Sequence, residues 1–86
     1  MVYGGKMRLD KYLKVSRLIK RRTVANEACD GEYVMVNGKS AKAGYQVKIG
    51  DIIEMNIGKR TLRVEVLNCE ENVSKAEASA MYRELP

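Results

Sequence analysis

Seven of the fifteen residues from Arg8 to Arg22 are cationic: Arg8, Lys11, Lys14, Arg17, Lys20, Arg21 and Arg22. Asp10 is the one acid among them. Ammonium and guanidinium groups at this density are suited to binding a polyanion, and the planar guanidinium can also clasp a phosphate bidentately or stack on a base. The same stretch holds Leu9, Tyr12, Leu13, Val15, Leu18 and Ile19, more apolar side chains than a solvated basic tail would carry. One side of the segment must be anchored and the other charged.

The charge is placed rather than spread. The 86-residue chain has a net charge of +5, yet residues 1–22 carry eight basic residues against one acidic, and residues 23–86 carry eight against ten. A charge serving solubility alone would be distributed along the chain. An excess confined to the first quarter points to an anionic partner, either nucleic acid or anionic lipid.

Groups for catalysis are scarce. The chain has no His, and no nucleophile sits in an elbow or triad arrangement. The glycines at 31, 38, 44, 50 and 58 are scattered turn residues, not a phosphate-binding loop. Asp51 and Glu54 read as a solvated turn residue and a solvated strand residue. Cys29 and Cys69 lack paired spacing, and without His they are too few to hold zinc. Cys29 falls at an apolar helix position and reads as a small buried residue. A non-catalytic protein without metal or cofactor is expected. Two unpaired thiols, with no signal peptide and no apolar run of membrane-spanning length, imply a reducing cytosol.

The elements that must position the cations follow from periodicity. Leu9, Tyr12, Leu13 and Ser16 have the i, i+3, i+4, i+7 spacing of one helix face, and Arg8, Lys11 and Lys14 form a separate stripe. A short helix is predicted over 9–15, with Arg17 to Lys20 as a connection. A second helix runs from Arg21 or Arg22 to Cys29, with Val24, Ala25, Ala28 and Cys29 inward and Asp30-Gly31 as its stop. Arg8 and Arg22 then stand at the starts of the two helices, where unpaired N–H groups favour phosphate.

Beyond Gly31 the period changes to two. Val34 and Val36 share a strand face, Asn37-Gly38 is a tight turn and Gly50-Asp51 is another. Ile53, Met55 and Ile57 form a second strand face, Gly58-Lys59-Arg60 turns the chain, and Leu62, Val64 and Val66 form a third. Ser74-Lys75-Ala76-Glu77 is a capping box, and Ala78, Met81, Tyr82 and Leu85 follow at helical spacing. The pattern predicts one α+β domain with a C-terminal helix.

"RLDKYL", "KRRTVANEA", "VMVNGK" and "VKIGD" together resemble the S-four RNA-binding domain, named after the fourth protein of the small ribosomal subunit. The Arg-Leu-Asp opening, the basic second helix, the Val-x-Val-Asn-Gly hairpin and the Gly-Asp turn occur in the family's order. "MRLDKYLKVSRLIKRRT", "NGKSAKA" and "EASAMYREL" are similar to its small stand-alone members in Gram-positive bacteria. These form the group of ribosome-associated quality-control factor P, related to heat-shock protein fifteen. The resemblance covers residues 7–85.

It implies two N-terminal helices packed on a short antiparallel sheet. Residues 1–7 would be an extension or remnant, 8–68 the RNA-binding domain and 69–86 a tail. It further implies a monomer, cytoplasmic and ribosome-associated, that binds large-subunit ribosomal RNA where a stalled, split subunit still holds peptidyl-tRNA. A partner factor there directs template-free alanine addition to the stalled peptide. Arg8 and Arg22 match the family's RNA-contacting arginines, with Lys11, Lys14, Arg17, Lys20 and Arg21 around them. One departure is visible: the family's glycine before the first strand stands one place early, at Gly31, and Glu32 occupies its position.

Other readings fit less well. An accessory subunit of an RNA-modifying enzyme would need its catalytic part on another chain, and large-subunit recycling is the heat-shock-fifteen alternative. A DNA-reading helix-turn-helix would want base-reading side chains where Arg21 to Cys29 offers only Asn26. For a membrane-surface protein the helices are too short and too weakly apolar.

Overall fold

The computed structural model describes residues 7–70 and 73–86; of the extension foreseen over residues 1–7, all but Met7 lies outside them. In chain order the elements are β1 (Met7–Arg8), α1 (Leu9–Val15), α2 (Arg22–Asp30), β2 (Val34–Val36), β3 (Lys39–Ser40), β4 (Gln46–Val47), β5 (Ile52–Ile57) and β6 (Arg60–Val66). There follow α3 (Lys75–Ala78), a 3-10 turn (Ser79–Met81) and β7 (Tyr82–Leu85). Five strands form one antiparallel sheet in the order β3-β2-β5-β6-β7, and β1 pairs with β4 beside it. Met7, grouped with the extension on sequence, is only 3% exposed and pairs with Val47.

Helices of seven and nine residues are too short to persist alone in water. Packing makes them. Leu9, Tyr12 and Leu13 of α1 are fully buried, as are Ala25 and Cys29 of α2, and each large apolar side chain contributes about 2 kcal/mol. Val24, expected inward, is instead 48% exposed. The inward stripe of α2 runs through Ala25 and Cys29, one turn apart, and Val24 lies about 100° around the helix from Ala25.

The strand faces predicted from alternation are realised. Val34, Val36, Ile53, Met55, Val64 and Val66 are buried, while the side chain of Ile57 lies outside the description. Asn37 and Gly38, both at positive φ (53° and 83°), make the two-residue turn that joins β2 to β3. This mirror-type turn matches the right-handed strand twist.

Asp51 departs from the solvated turn residue expected, being only 4% exposed. Its carboxylate accepts hydrogen bonds from Asn37 Nδ2 (3.1 Å), Tyr45 Oη (2.9 Å) and the Lys48 N–H (2.9 Å). Asn37 Oδ1 in turn accepts from the Ile52 N–H at 2.9 Å. The Asn-Gly and Gly-Asp turns, distant in sequence, are one hydrogen-bonded unit, and a buried carboxylate is tolerable only with such partners.

The tail forms only part of the helix its spacing predicts. The capping box is present, with Ser74 Oγ accepting from the Glu77 N–H and Glu77 Oε1 from the Ser74 N–H. Helical geometry nevertheless ends at Met81, and Tyr82–Leu85 pairs with β6 as the edge strand. The Met81 carbonyl accepts from the Leu67 N–H (2.8 Å), the Asn68 N–H (3.1 Å) and Tyr12 Oη (2.8 Å). These bonds, with the fully buried Met81 side chain, tie the tail to α1 and stop the helix. Open backbone groups on β6 outweigh the local helical pattern.

The turn at the end of α2 explains the displaced glycine. Tyr33 N–H bonds the Ala28 carbonyl at 2.9 Å and Glu32 N–H bonds the Cys29 carbonyl at 3.1 Å, the double closure of a Schellman motif. Its left-handed position is Glu32, at φ 66°. Gly31, just before it, stands in a tight place: a Cβ there would lie 3.0 Å from both the Glu27 carbonyl oxygen and the Tyr33 ring, which would have to give by a few tenths of an ångström. Left-handed geometry costs a residue with a Cβ about 1–2 kcal/mol. Glu32→Gly is therefore expected to stabilise the fold by about 1 kcal/mol, raising the melting temperature by roughly 4–8 °C by calorimetry. Met81→Ala is expected to cost about 2–5 kcal/mol in urea unfolding. Tyr12→Phe should cost only about 1 kcal/mol, because the Met81 carbonyl keeps two donors.

Candidate nucleic-acid interface

The pairing of β1 with β4 sets where α1 begins. Leu9 N–H bonds the Tyr45 carbonyl at 2.8 Å and Asp10 N–H bonds the Ala43 carbonyl at 3.3 Å. Arg8 is thereby held at the N-cap of α1 in extended geometry. Arg21 occupies the N-cap of α2 and Arg22 its first helical position.

Arg8 and Arg22 converge on one carboxylate. Arg8 Nε donates to Asp10 Oδ1 at 3.2 Å and Arg8 Nη2 to Oδ2 at 3.3 Å. Arg22 Nε donates to Oδ2 at 3.4 Å, and Asn26 Nδ2, one turn along α2, to the same oxygen at 3.2 Å. The Lys11 N–H donates to Oδ1 at 2.8 Å. The Asp10 side chain is 2% exposed, while both arginine side chains are 48% exposed. Burial by itself would raise the Asp10 pKa. The bonds from Asn26, Arg8, Arg22 and the Lys11 N–H outweigh it and hold the carboxyl below the usual carboxylate range.

The other predicted cations lie on α1 and on its connection to α2. Lys11 is half-buried and Lys14 exposed on α1; Arg17, Lys20 and Arg21 are exposed along the connection to α2. Lys14, Arg17, Lys20 and Arg21 make no side-chain hydrogen bond or ion pair among the described residues. Arg17, at φ 65°, takes the left-handed position that ends α1, and its N–H bonds the Lys14 carbonyl at 3.1 Å. Elsewhere Arg63 pairs with Glu54 at 3.8 Å and Arg83 with Glu65 across the β6–β7 pair, while the exposed Arg60 makes no side-chain hydrogen bond or ion pair among the described residues.

Arg8, Asp10, Arg22, Thr23, Asn26 and Glu27 line an open depression of about 450 Å³. Sequence reasoning named its two arginines and missed Asp10 and Asn26 as members. The available signal was an acid in the first turn of a basic helix, beside the buried Leu9 and three residues before the buried Leu13.

Tyr12, which its spacing placed on the apolar face of α1, is core, its hydroxyl donating to the Met81 carbonyl. Burial, with Asp10 and Asp30 adding to it, pushes the Cys29 thiol up to about 12. Burial and then Asp51 raise that of Cys69. Neither cysteine supplies a thiolate near neutrality. Among the described residues, no cluster of His, Cys, Asp or Glu could hold a metal ion, and no helix is long and apolar enough to cross a membrane.

The sequence profile of the S4 domain matches residues 7–53. The RQC P-site tRNA stabilizing factor of Halalkalibacterium halodurans is 54% identical over 76 residues, which are 88% of this chain and 86% of that protein. The RQC P-site tRNA stabilizing factor of Streptococcus pneumoniae is 49% identical over the same shares. Among solved structures, the trimeric heat shock protein 15 of Vibrio cholerae superposes with a TM-score of 0.86 at 30% identity, covering 94% of this chain and 83% of that one. With Arg8, the Asn37-Gly38 hairpin and the Gly50-Asp51 turn in place on a two-helix, antiparallel-sheet fold, the chain belongs to the S4 domain family, among the relatives of the RQC P-site tRNA stabilizing factors.

Proposed function

We propose that this protein is a non-catalytic RNA-binding factor whose α1–α2 face rests on large-subunit ribosomal RNA and helps hold P-site tRNA during ribosome-associated quality control. The observation that carries the reading is the pairing of Arg8 and Arg22 on one buried carboxylate, with four further cations, on α1 and its connection to α2, that are unpaired among the described residues. Structured RNA is recognised largely through backbone and shape, which suits cations on short rigid helices. The names of its relatives supply the P-site tRNA context.

In this reading Arg8, Lys11, Lys14, Arg17, Lys20, Arg21 and Arg22 meet the RNA. Residues 8–68 carry the binding and 69–86 brace the sheet. The protein acts as a cytoplasmic monomer on the stalled subunit, beside peptidyl-tRNA and the partner that directs alanine addition. The absence of His and the two suppressed thiols argue for binding without catalysis. Likeness to the heat shock protein 15 fold favours a second reading, large-subunit recycling.

Co-sedimentation with large subunits, vacant against peptidyl-tRNA-bound, separates the two. Preference for the tRNA-bound particle is expected, and equal binding favours recycling. Affinity should fall with salt at a log–log slope of about −0.7 to −0.9 per phosphate neutralised, near −3 for four contacts. A folded Arg8→Ala, Arg22→Ala double variant should bind about 100-fold more weakly, as loss of two charge-assisted contacts implies. Wild-type binding by that variant would remove these arginines from the interface.

A further inference from the structure

An acid at the centre of a phosphate-binding face needs an explanation. Asp10 repels the ligand that Arg8 and Arg22 attract, yet it is buried and takes five hydrogen bonds on its two oxygens. We propose that Asp10 is a positioning residue that turns Arg8 and Arg22 into a paired clamp for one backbone phosphate of the RNA. The inference rests on the RNA-binding reading above and adds a division of labour within it.

The geometry carries the argument. Arg22 meets Asp10 through Nε alone, which leaves both terminal nitrogens of its fork without a hydrogen bond to the carboxylate. Arg8 is engaged through Nε and Nη2, which leaves Nη1 and the second Nη2 proton. The two forks share Oδ2 as an acceptor, and both arginines line the same depression. That depression also holds Thr23, whose exposed hydroxyl makes no hydrogen bond among the described residues. Arginines held in this way lose little side-chain freedom when a phosphate arrives, whereas unrestrained ones must be ordered by the binding itself. Asn26 fixes the carboxylate from the α2 side, so that the clamp spans both helices. Two guanidinium groups on one carboxylate leave the Arg8–Asp10–Arg22 set with one positive charge, which faces the exposed Glu27 across the same depression.

The test turns on a sign. If the cations act only as a diffuse field, Asp10→Asn removes a negative charge from the face and should tighten binding to large subunits. If Asp10 positions the clamp, the same variant should weaken binding, by on the order of ten-fold. The asparagine amide would present a donor where Arg22 and Asn26 also present donors. In an Arg8→Ala, Arg22→Ala background the effect of Asp10→Asn should vanish or reverse. Tighter or unchanged binding by folded Asp10→Asn, with arginine variants that do lose affinity, overturns the positioning role and leaves the RNA-binding reading standing. Arginine variants that bind as wild type remove both arginines from the interface and the clamp with them.

A second measurement needs neither RNA nor a variant. In the wild-type protein the Arg8 and Arg22 Nε–H resonances should exchange with water several-fold more slowly than those of Arg17 and Arg21. Equal exchange at all four overturns the proposal even if Asp10→Asn fails to fold.

Discussion

A carboxylate removed from water must be matched by donors, and the proposed binding face is arranged around that requirement. Asp10 is almost inaccessible, and an unpartnered charge at such a site costs several kcal/mol. Its donors come from both helices: Arg8 and the Lys11 N–H at the start of α1, Arg22 and Asn26 from α2. Any movement of α2 away from α1 strips donors from a buried charge. Two helices too short to hold their own shape therefore keep a fixed mutual position, and their basic side chains inherit it.

A second buried carboxylate plays the matching part in the sheet. Asp51 joins the Asn37 side chain, the Tyr45 hydroxyl and the Lys48 N–H, holding the β2–β3 hairpin against the entry to β5. The segment between the hairpin and that entry carries β4, whose pairing with β1 sets the start of α1. A chain of contacts thus runs from the Asn-Gly turn through Asp51 and β4 to Arg8. The tail closes the frame from the other side, since Met81 meets both Tyr12 of α1 and the residues leaving β6. Charge on the surface depends on packing that begins at the far edge of the sheet.

Both helices end at a left-handed residue that is not glycine: Arg17 after α1 and Glu32 after α2. Such positions store a modest strain. At Arg17 the strain coincides with an exposed cation of the proposed face, where glycine would relax the backbone and remove the charge. At Glu32 no RNA contact is proposed, and at the neighbouring Gly31 a Cβ would press on the Glu27 carbonyl and the Tyr33 ring at 3.0 Å.

Local pattern was sufficient for the helix pair, the hairpin turn and the location of the positive charge. Helical spacing selected Leu9, Tyr12 and Leu13 for burial, alternation selected Val34, Val36, Ile53, Met55, Val64 and Val66, and all are buried. These follow from periods of 3.6 and 2, properties of the chain alone. What the sequence could not determine depended on partners far along the chain. The tail reads as helix to its end, yet Tyr82–Leu85 is a strand because β6 offers an unpaired edge. Asp51 reads as a solvated turn residue until Asn37 and Tyr45 fold over it, and Asp10 reads as one acid lost among cations until α2 brings Arg22 and Asn26 to it. Periodicity says which face of an element is buried. Only the tertiary structure decides which polar groups are buried with it, because their stability rests on donors that sequence spacing does not reveal.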